Sequence, residues 1–232
     1  MIRRQGKRII MVYDNITKAK FLKRPNRFIA EVEIKGCKEI VHVKNTGRCK
    51  ELLISGCDVW LTAPGTPNRK TKYDLVAVRK GNGTIFNIDS QAPNKVVNEW
   101  LTSQDFDVVK SEYKYGDSRI DFYMERGSEK YLMEVKGCTL EFDGIGYFPD
   151  APTERGVKHI RELIKAKKEG YNAILAFVIQ MDGVSEVRAN VETHPEFGTA
   201  LEDARKEGVE IKFLTCHVEP GSLRVKDENC FR

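Results

Sequence analysis

The pattern of apolar residues changes in kind at Ala92, and that change limits the possible folds more than any other feature of the chain. Before it, the apolar stretches are short, at residues 28–34, 40–43, 59–61, 75–79 and 84–88. Turn signals separate them. Lys35-Gly36 and Gly81-Asn82-Gly83 supply the backbone freedom that hairpins need, and the loop 63–72 carries both Pro and Gly. Strands this short and this closely spaced predict a small β-barrel. After Ala92 the period lengthens. Pro93-Asn94 predicts a helix start with Asn94 as cap, and Val96, Val97, Trp100 and Leu101 recur at helical spacing. Strands follow at 108–113, 119–124 and 131–135, then a helix over 153–169 with Val157, Ile160, Leu163 and Ile164 on one face. A buried strand at 173–179, a helix at 195–207 and a strand at 210–214 complete the order α-β-β-β-α-β-α-β, a mixed α/β layer domain. The chain of 232 residues is therefore read as α+β with two domains, 1–90 and 91–232.

With 41% hydrophobic and 31% charged residues the composition is that of a folded protein. The longest clean apolar run, 173–179, is far shorter than the roughly 20 residues that cross a bilayer. The basic N-terminus (Arg3, Arg4, Lys7, Arg8) is followed by only the apolar residues 9–12, too few for a signal-peptide core. The expectation is a cytoplasmic protein with no membrane partner. Cysteines 37, 49, 57, 138, 216 and 230 form no C-x-x-C pair and stand in no metal-finger spacing, and are expected to be buried thiols in a reducing compartment.

Charge divides with the pattern. Residues 1–90 carry 19 basic and 8 acidic side chains, a balance of +11, whereas residues 91–232 carry 20 and 26, a balance of −6. A basic half beside an acidic half fits a part that tracks a polyanion and a part that gathers carboxylates; unevenly charged solvated surfaces are the plainer reading.

The acidic half holds a specific arrangement. In Arg119-Ile120-Asp121-Phe122, strand alternation sends Ile120 and Phe122 one way and Asp121 the other, and a carboxylate in an apolar strand is costly unless paired. In Glu134-Val135-Lys136 the two charged residues share a face. If the segment 125–130 joins these strands as a hairpin, Asp121 meets Glu134 across the pair. Two carboxylates and a lysine on one face match phosphodiester hydrolysis, with the carboxylates holding Mg²⁺ and the lysine orienting water or stabilising developing charge. The competing reading is a surface ion pair between Glu134 and Lys136 at a strand end.

The ordered set Glu99, Asp121, Glu134 and Lys136 resembles the PD-(D/E)xK nuclease superfamily. Longer stretches resemble one family, the sugar fermentation stimulation proteins (SfsA). These are Arg27-Phe28 with Ala30-Glu31-Val32, Asn45-Thr46-Gly47, Arg69-Lys70-Thr71-Lys72-Tyr73, Ala92-Pro93-Asn94, Lys110-Ser111-Glu112 with Lys114-Tyr115-Gly116, Arg119 to Phe122, Glu134 to Leu140, and the long run Gly146-Tyr147-Phe148-Pro149-Asp150-Ala151-Pro152-Thr153-Glu154-Arg155-Gly156-Val157-Lys158-His159. The resemblance implies an OB-fold-like barrel followed by a PD-(D/E)xK nuclease-like domain, DNA as partner, and control of sugar (maltose-type) utilisation genes. It also implies Asp121 and Glu134 as ligands of Mg²⁺ (or Mn²⁺), Lys136 as catalytic lysine and Glu99 as the first-helix acid. The literal Pro-Asp pair is absent, since Ile120 precedes Asp121.

Further residues have two readings each. Glu112 and Glu141 flank the cluster as extra acids or as solvated strand ends. His159 has the spacing to face the cavity of Glu134, or is a plain hydrogen-bonding helix residue. The segment 148–155 is either a moving edge over the site or a stiffened loop. Lys158, Arg161, Lys165 and Lys168 form a stripe suited to a phosphate backbone or to water. In the barrel, Arg27, Lys44, Arg48, Arg69, Lys70 and Lys72 are the expected DNA-binding residues, with Tyr73 as stacking ring and Phe28 and Trp60 assigned to the core. The functional expectation is a DNA-binding protein with a Mg²⁺-dependent nuclease-like site. The alternatives are a non-enzymatic DNA-binding regulator, and a small-ligand or scaffold protein. Oligomeric state is left open, a homodimer included.

Overall fold

The structure, a computed structural model, describes residues 11–45, 47–65 and 69–226. Arg3, Arg4, Lys7, Arg8, Thr46 and Cys230 lie outside the described residues. The first strands are β1 (Met11–Val12), β2 (Thr17–Asn26), β3 (Ile29–Ile34), β4 (Cys37–Val43), β5 (Asp58–Thr62), β6 (Asp74–Arg79) and β7 (Ile85–Asn87). Strands β2 to β7 form one sheet in the order β4-β3-β2-β5-β6-β7, and a parallel pairing of β4 with β6 closes β2 to β6 into a five-stranded barrel. The long strand β2 is absent from the sequence reading. Its four basic residues (Lys18, Lys20, Lys23, Arg24) and Pro25 hide the alternation that buries Ala19 and Phe21.

The second domain contains α1 (Ala92–Leu101), β8 (Val108–Tyr115), β9 (Ser118–Arg126), β10 (Glu129–Cys138), β11 (Leu140–Phe142), β12 (Ile145–Phe148), α2 (Glu154–Lys168), β13 (Asn172–Ile179), β14 (Val187–Ala189), α3 (Pro195–Lys206), β15 (Glu210–Glu219) and β16 (Ser222–Val225). Its sheet runs β1-β16-β15-β13-β10-β9-β8, with β10, β13 and β15 parallel; β11, β12 and β14 form a small separate sheet. The apolar run of β13 is buried on both faces. Ala173, Leu175, Phe177 and Ile179 pack with α2, α3 and the barrel, and Ile174, Ala176 and Val178 pack with α1. β1 pairs with β16 through Met11 and Leu223, so the described chain starts on the second sheet before entering the barrel.

The domains share a core and several polar ties. Lys44 Nζ bonds buried Asp89 at 3.0 Å, Lys80 Nζ bonds Glu141 at 2.5 Å, and the backbone N–H of Arg48 donates to Asp150 at 3.0 Å. Gly47 is required here, because a Cβ would overlap the Asp150 carboxylate. Asn45 and Ser90 of the barrel side and Gly137, Thr139, Asp150 and Gln180 of the second domain line a cleft of about 280 Å³ between them. Among the described residues no helix is long and apolar enough to cross a membrane, and five cysteines are free: Cys49, Cys138 and Cys216 are buried as expected, whereas Cys57 is half-buried and Cys37, at the start of β4, is exposed.

Candidate functional site

Strands β9 and β10 form a hairpin whose connection is only Gly127-Ser128, shorter than the segment 125–130 expected from sequence. Glu125, Arg126, Glu129 and Lys130 read as a loop because they are charged, yet they extend the ladder. The ladder runs to Met133 opposite Phe122. At Asp121 it is replaced by a side chain, whose Oδ2 accepts the backbone N–H of Val135 at 2.8 Å. The predicted alternation breaks at this point: Ile120 joins the core shared with α2, and Phe122 the core shared with α1. Asn94 Nδ2 donates to Asp121 Oδ1 at 2.6 Å. Asn94 was expected to cap α1, but Gln91 holds that position without a side-chain bond, which leaves Asn94 free for the carboxylate. Burial, and then the charge of Glu134, raise Asp121 to about 6.

The Glu134 side chain is 2% exposed and that of Lys136 13%, so the surface-pair reading does not hold. Glu134 Oε1 accepts from Lys136 Nζ at 2.5 Å and also meets His159 Nδ1. Glu134 Oε2 is buried with no hydrogen-bond partner. Burial alone would push this carboxyl up; the hydrogen bond with His159 and the charge of Lys136 outweigh it and hold the group below its usual range. Directly after Lys136, Gly137 permits close packing, since a Cβ there would overlap Gln180 and Pro93.

Asp121, Glu134 and Lys136 are thus brought together, with Asn94 and His159 as partners. Glu99 is not joined to them. Five residues after Asn94 it stands about 140° around α1, it makes no hydrogen bond or ion pair with the cluster, and its own Oε2 is buried without a partner. Glu112 pairs with Arg119 on the surface at 2.8 Å, and Glu141 pairs with Lys80 across the domains, so neither extends the acids. The segment 148–155 is fastened: Pro149 O accepts from Asn190, and Asp150 accepts from the Arg48 N–H. Sequence reasoning missed Asn94 as a carboxylate partner. His159 carried a usable signal, as a lone polar residue among the buried positions Val157, Ile160 and Leu163 of α2.

The expected DNA-binding residues divide. Lys44 is committed to Asp89, and Arg69 to Asp74, so neither charge is free. Lys72 lies over Tyr73, and Arg27 over Phe28, which is 46% exposed and not core. Trp60 is core, as expected. Lys70 and Lys158 are exposed, while in the same stripe as Lys158 the residue Lys168 pairs with Glu207. Arg27 and Arg48 line a groove of about 500 Å³ with Lys23, Arg24 and Lys50. Arg24 builds its wall by donating to the carbonyls of Arg27, Asn45, Gly47 and Arg48.

A closed OB barrel leading into an α/β domain defines the class of protein. Two family models divide the chain in the same way: the SfsA N-terminal OB domain matches residues 22–87, and the sugar fermentation stimulation protein RE domain matches residues 91–222. The sugar fermentation stimulation protein homolog of Desulfitobacterium hafniense (strain DSM 10664 / DCB-2) is 53% identical, covering 94% of this chain and 96% of its own. That of Clostridium beijerinckii is also 53% identical, over 94% and 97%. Among solved structures, Pyrococcus furiosus SfsA in complex with Ca²⁺ superposes with a TM-score of 0.82 at 29% identity, over 94% of this chain and 96% of that one. The chain belongs to the sugar fermentation stimulation protein family.

Proposed function

We propose that this protein grips DNA through the basic groove of its barrel and hydrolyses phosphodiesters at Asp121, Glu134 and Lys136 with a divalent cation, Mg²⁺ or Mn²⁺. The observation that carries the reading is Glu134 Oε2, a buried carboxylate oxygen with no donor, in a cluster with a second carboxylate, the half-buried Asp121. Such an oxygen is costly to leave unsatisfied, and a hard cation is its natural partner. The donor set fits Mg²⁺ on its chemistry, because Mg²⁺ is commonly held by one or two carboxylates and keeps waters and phosphate oxygens for the rest. Among the described residues no group of three or more His, Cys, Asp or Glu is arranged to hold a metal, so Asp121 and Glu134 would be the side-chain ligands. The relative solved with Ca²⁺, another oxygen-seeking cation, supports the same choice.

A bound cation supplies charge neutralisation at the phosphate and a more acidic water. Asn94 and the Val135 N–H hold Asp121 in place. Lys136, on the same carboxylate, brings a positive charge to the site where the reacting phosphate gains negative charge. Arg27, Arg48 and Lys50 bind the strand's phosphates.

The test is a cleavage assay on single-stranded, duplex and branched DNA, with and without Mg²⁺ or Mn²⁺. Cation-dependent cleavage that Glu134→Gln abolishes is the expected result. Binding without cleavage under every condition refutes it. A second reading, a cytoplasmic DNA-binding regulator of sugar (maltose-type) genes without turnover, draws on one observation: the charge of Lys136 already balances Glu134, whose Oε1 also meets His159, without a cation.

A further inference from the structure

The His159 imidazole lies between two charged side chains. Arg155 Nε donates to His159 Nε2 at 3.3 Å, and His159 Nδ1 meets Glu134 Oε1. A guanidinium has donors and no acceptor, so Nε2 must present its lone pair to Arg155. The ring proton then sits on Nδ1, where it donates to Glu134. Both buried partners are sheltered from competing water, with the His159 and Glu134 side chains 7% and 2% exposed. Arg155 and His159 are four residues apart on α2, the spacing that stacks side chains on one helix face. The helix start is set by Thr153, whose side chain accepts the Gly156 N–H at 3.0 Å. Glu134 is consequently lopsided: Oε1 receives His159 and Lys136, while Oε2 receives nothing.

We propose that Arg155 is a positioning residue that locks His159 with its proton on Nδ1, which commits Glu134 Oε1 to hydrogen bonds and reserves Oε2 for the divalent cation. This rests on the cation-dependent reading above. The opposite tautomer would turn a ring lone pair against Oε1 and drive the carboxylate to rotate, so that its free oxygen no longer faces one direction. Outer partners of this kind act on metal affinity through the ligand they orient.

Two readouts on the full-length protein test it: ¹⁵N NMR of the histidine side chains, with His159 assigned by its loss in His159→Asn, and calorimetric titration with Mn²⁺. The wild type should show His159 protonated at Nδ1, and Arg155→Ala should shift it to a mixture of tautomers. Mn²⁺ affinity should fall about tenfold in Arg155→Ala and on the order of ten- to a hundredfold in His159→Phe. His159→Asn, which keeps an N–H for Glu134, should recover most of the loss. Arg155→Lys, which keeps the charge without the planar Nε–H, should not. A cation-binding wild type protonated at Nε2, or an Arg155→Ala variant with unchanged tautomer and affinity, overturns the inference alone. A wild type that binds no Mn²⁺ yet shows the Nδ1 lock, lost in Arg155→Ala, overturns the metal reading and the role for Oε2 while the lock itself stands.

Discussion

Asp89, at the seam of the two domains, and Glu134, in the second domain, are both carboxylates withdrawn from water, and their surroundings treat them differently. Asp89 has every oxygen engaged: Oδ2 accepts from Lys44 at 3.0 Å and from Tyr13 at 3.2 Å, and Oδ1 accepts the Gln91 N–H at 2.9 Å. Gln180, directly after β13, donates to the carbonyls of Asn87 and Asp89 and to the Asn87 side chain, and ties the same point to the second sheet. Glu134 also has close partners, Lys136 and His159, but they crowd one oxygen and leave the other bare. Under the proposed cation-dependent function, the difference separates a strut from a binding group. What sets Glu134 apart from Glu99, whose Oε2 is also without a partner, is that its bare oxygen lies in a cluster with Asp121 and Lys136.

The sharpest contrast should come from the two lysines. Lys136→Ala should lower phosphodiester cleavage by about 10²- to 10³-fold and leave cation binding in place, as read by single-turnover kinetics and calorimetry. Lys44→Ala should leave the chemical step intact in the fraction that remains folded. If the effects are reversed, the assignment of strut and site is wrong.

Stability should show the reverse order. Asp89→Asn leaves Lys44, whose side chain is 17% exposed, without its charge partner, and should cost about 3 kcal/mol in urea unfolding. Glu134→Gln keeps an acceptor for Lys136 and His159 and should cost about 1 kcal/mol. Equal losses would erase the distinction.

A smaller effect is expected in the pH dependence. Asp121 is held at about 6 in the fold against an ordinary 3.8, so its ionised form opposes folding. Its penalty is absent below about pH 4 and grows as pH rises through 6, to about 3 kcal/mol at most. Glu134, held below its ordinary 4.5, contributes in the opposite sense, and that contribution is lost only at lower pH. Asp121→Asn should therefore flatten the fall in stability between about pH 4 and pH 7, measured by thermal melts without divalent cation. A wild type whose stability rises across that window would contradict the cost assigned to ionising Asp121, which comes first from burial and then from Glu134.

The smallest changes in stability belong to the groove. Charge reversal of Arg27, Arg48 and Lys50 should alter stability by about 0.5 kcal/mol or less. It should still weaken DNA binding across sequences and make the salt dependence shallower. Unchanged affinity would move the grip away from the barrel.

Much of this was legible in the residues, and the gaps have physical causes. Alternation in Glu134 to Lys136 put the two charges on one face because period-2 patterns survive inside a buried sheet, and the expected hairpin brought Asp121 to the same strand. The break at Asp121 was not legible, since it depends on a side chain replacing a ladder bond to Val135. Lys44 read as a DNA ligand because its partner, Asp89, lies 45 residues away, and charge pairing at that distance is a property of the fold. β2 was hidden by lysines whose ammonium groups face water or Asp58 while alternate residues fill the barrel. Glu99 lay on the expected helix but on a different face from Asn94, a distinction that residue order alone does not make.

The central claim is that Glu134 Oε2 and Asp121 await a cation, and thermal unfolding with and without millimolar Mg²⁺ or Mn²⁺ tests it most directly. A ligand present at a hundred times its Kd adds about 2.7 kcal/mol to the folded state. The wild type should melt higher with either ion, and Asp121→Asn and Glu134→Gln should remain folded and lose the response. A wild type whose melting is indifferent to both ions, alone and with DNA present, would contradict the account.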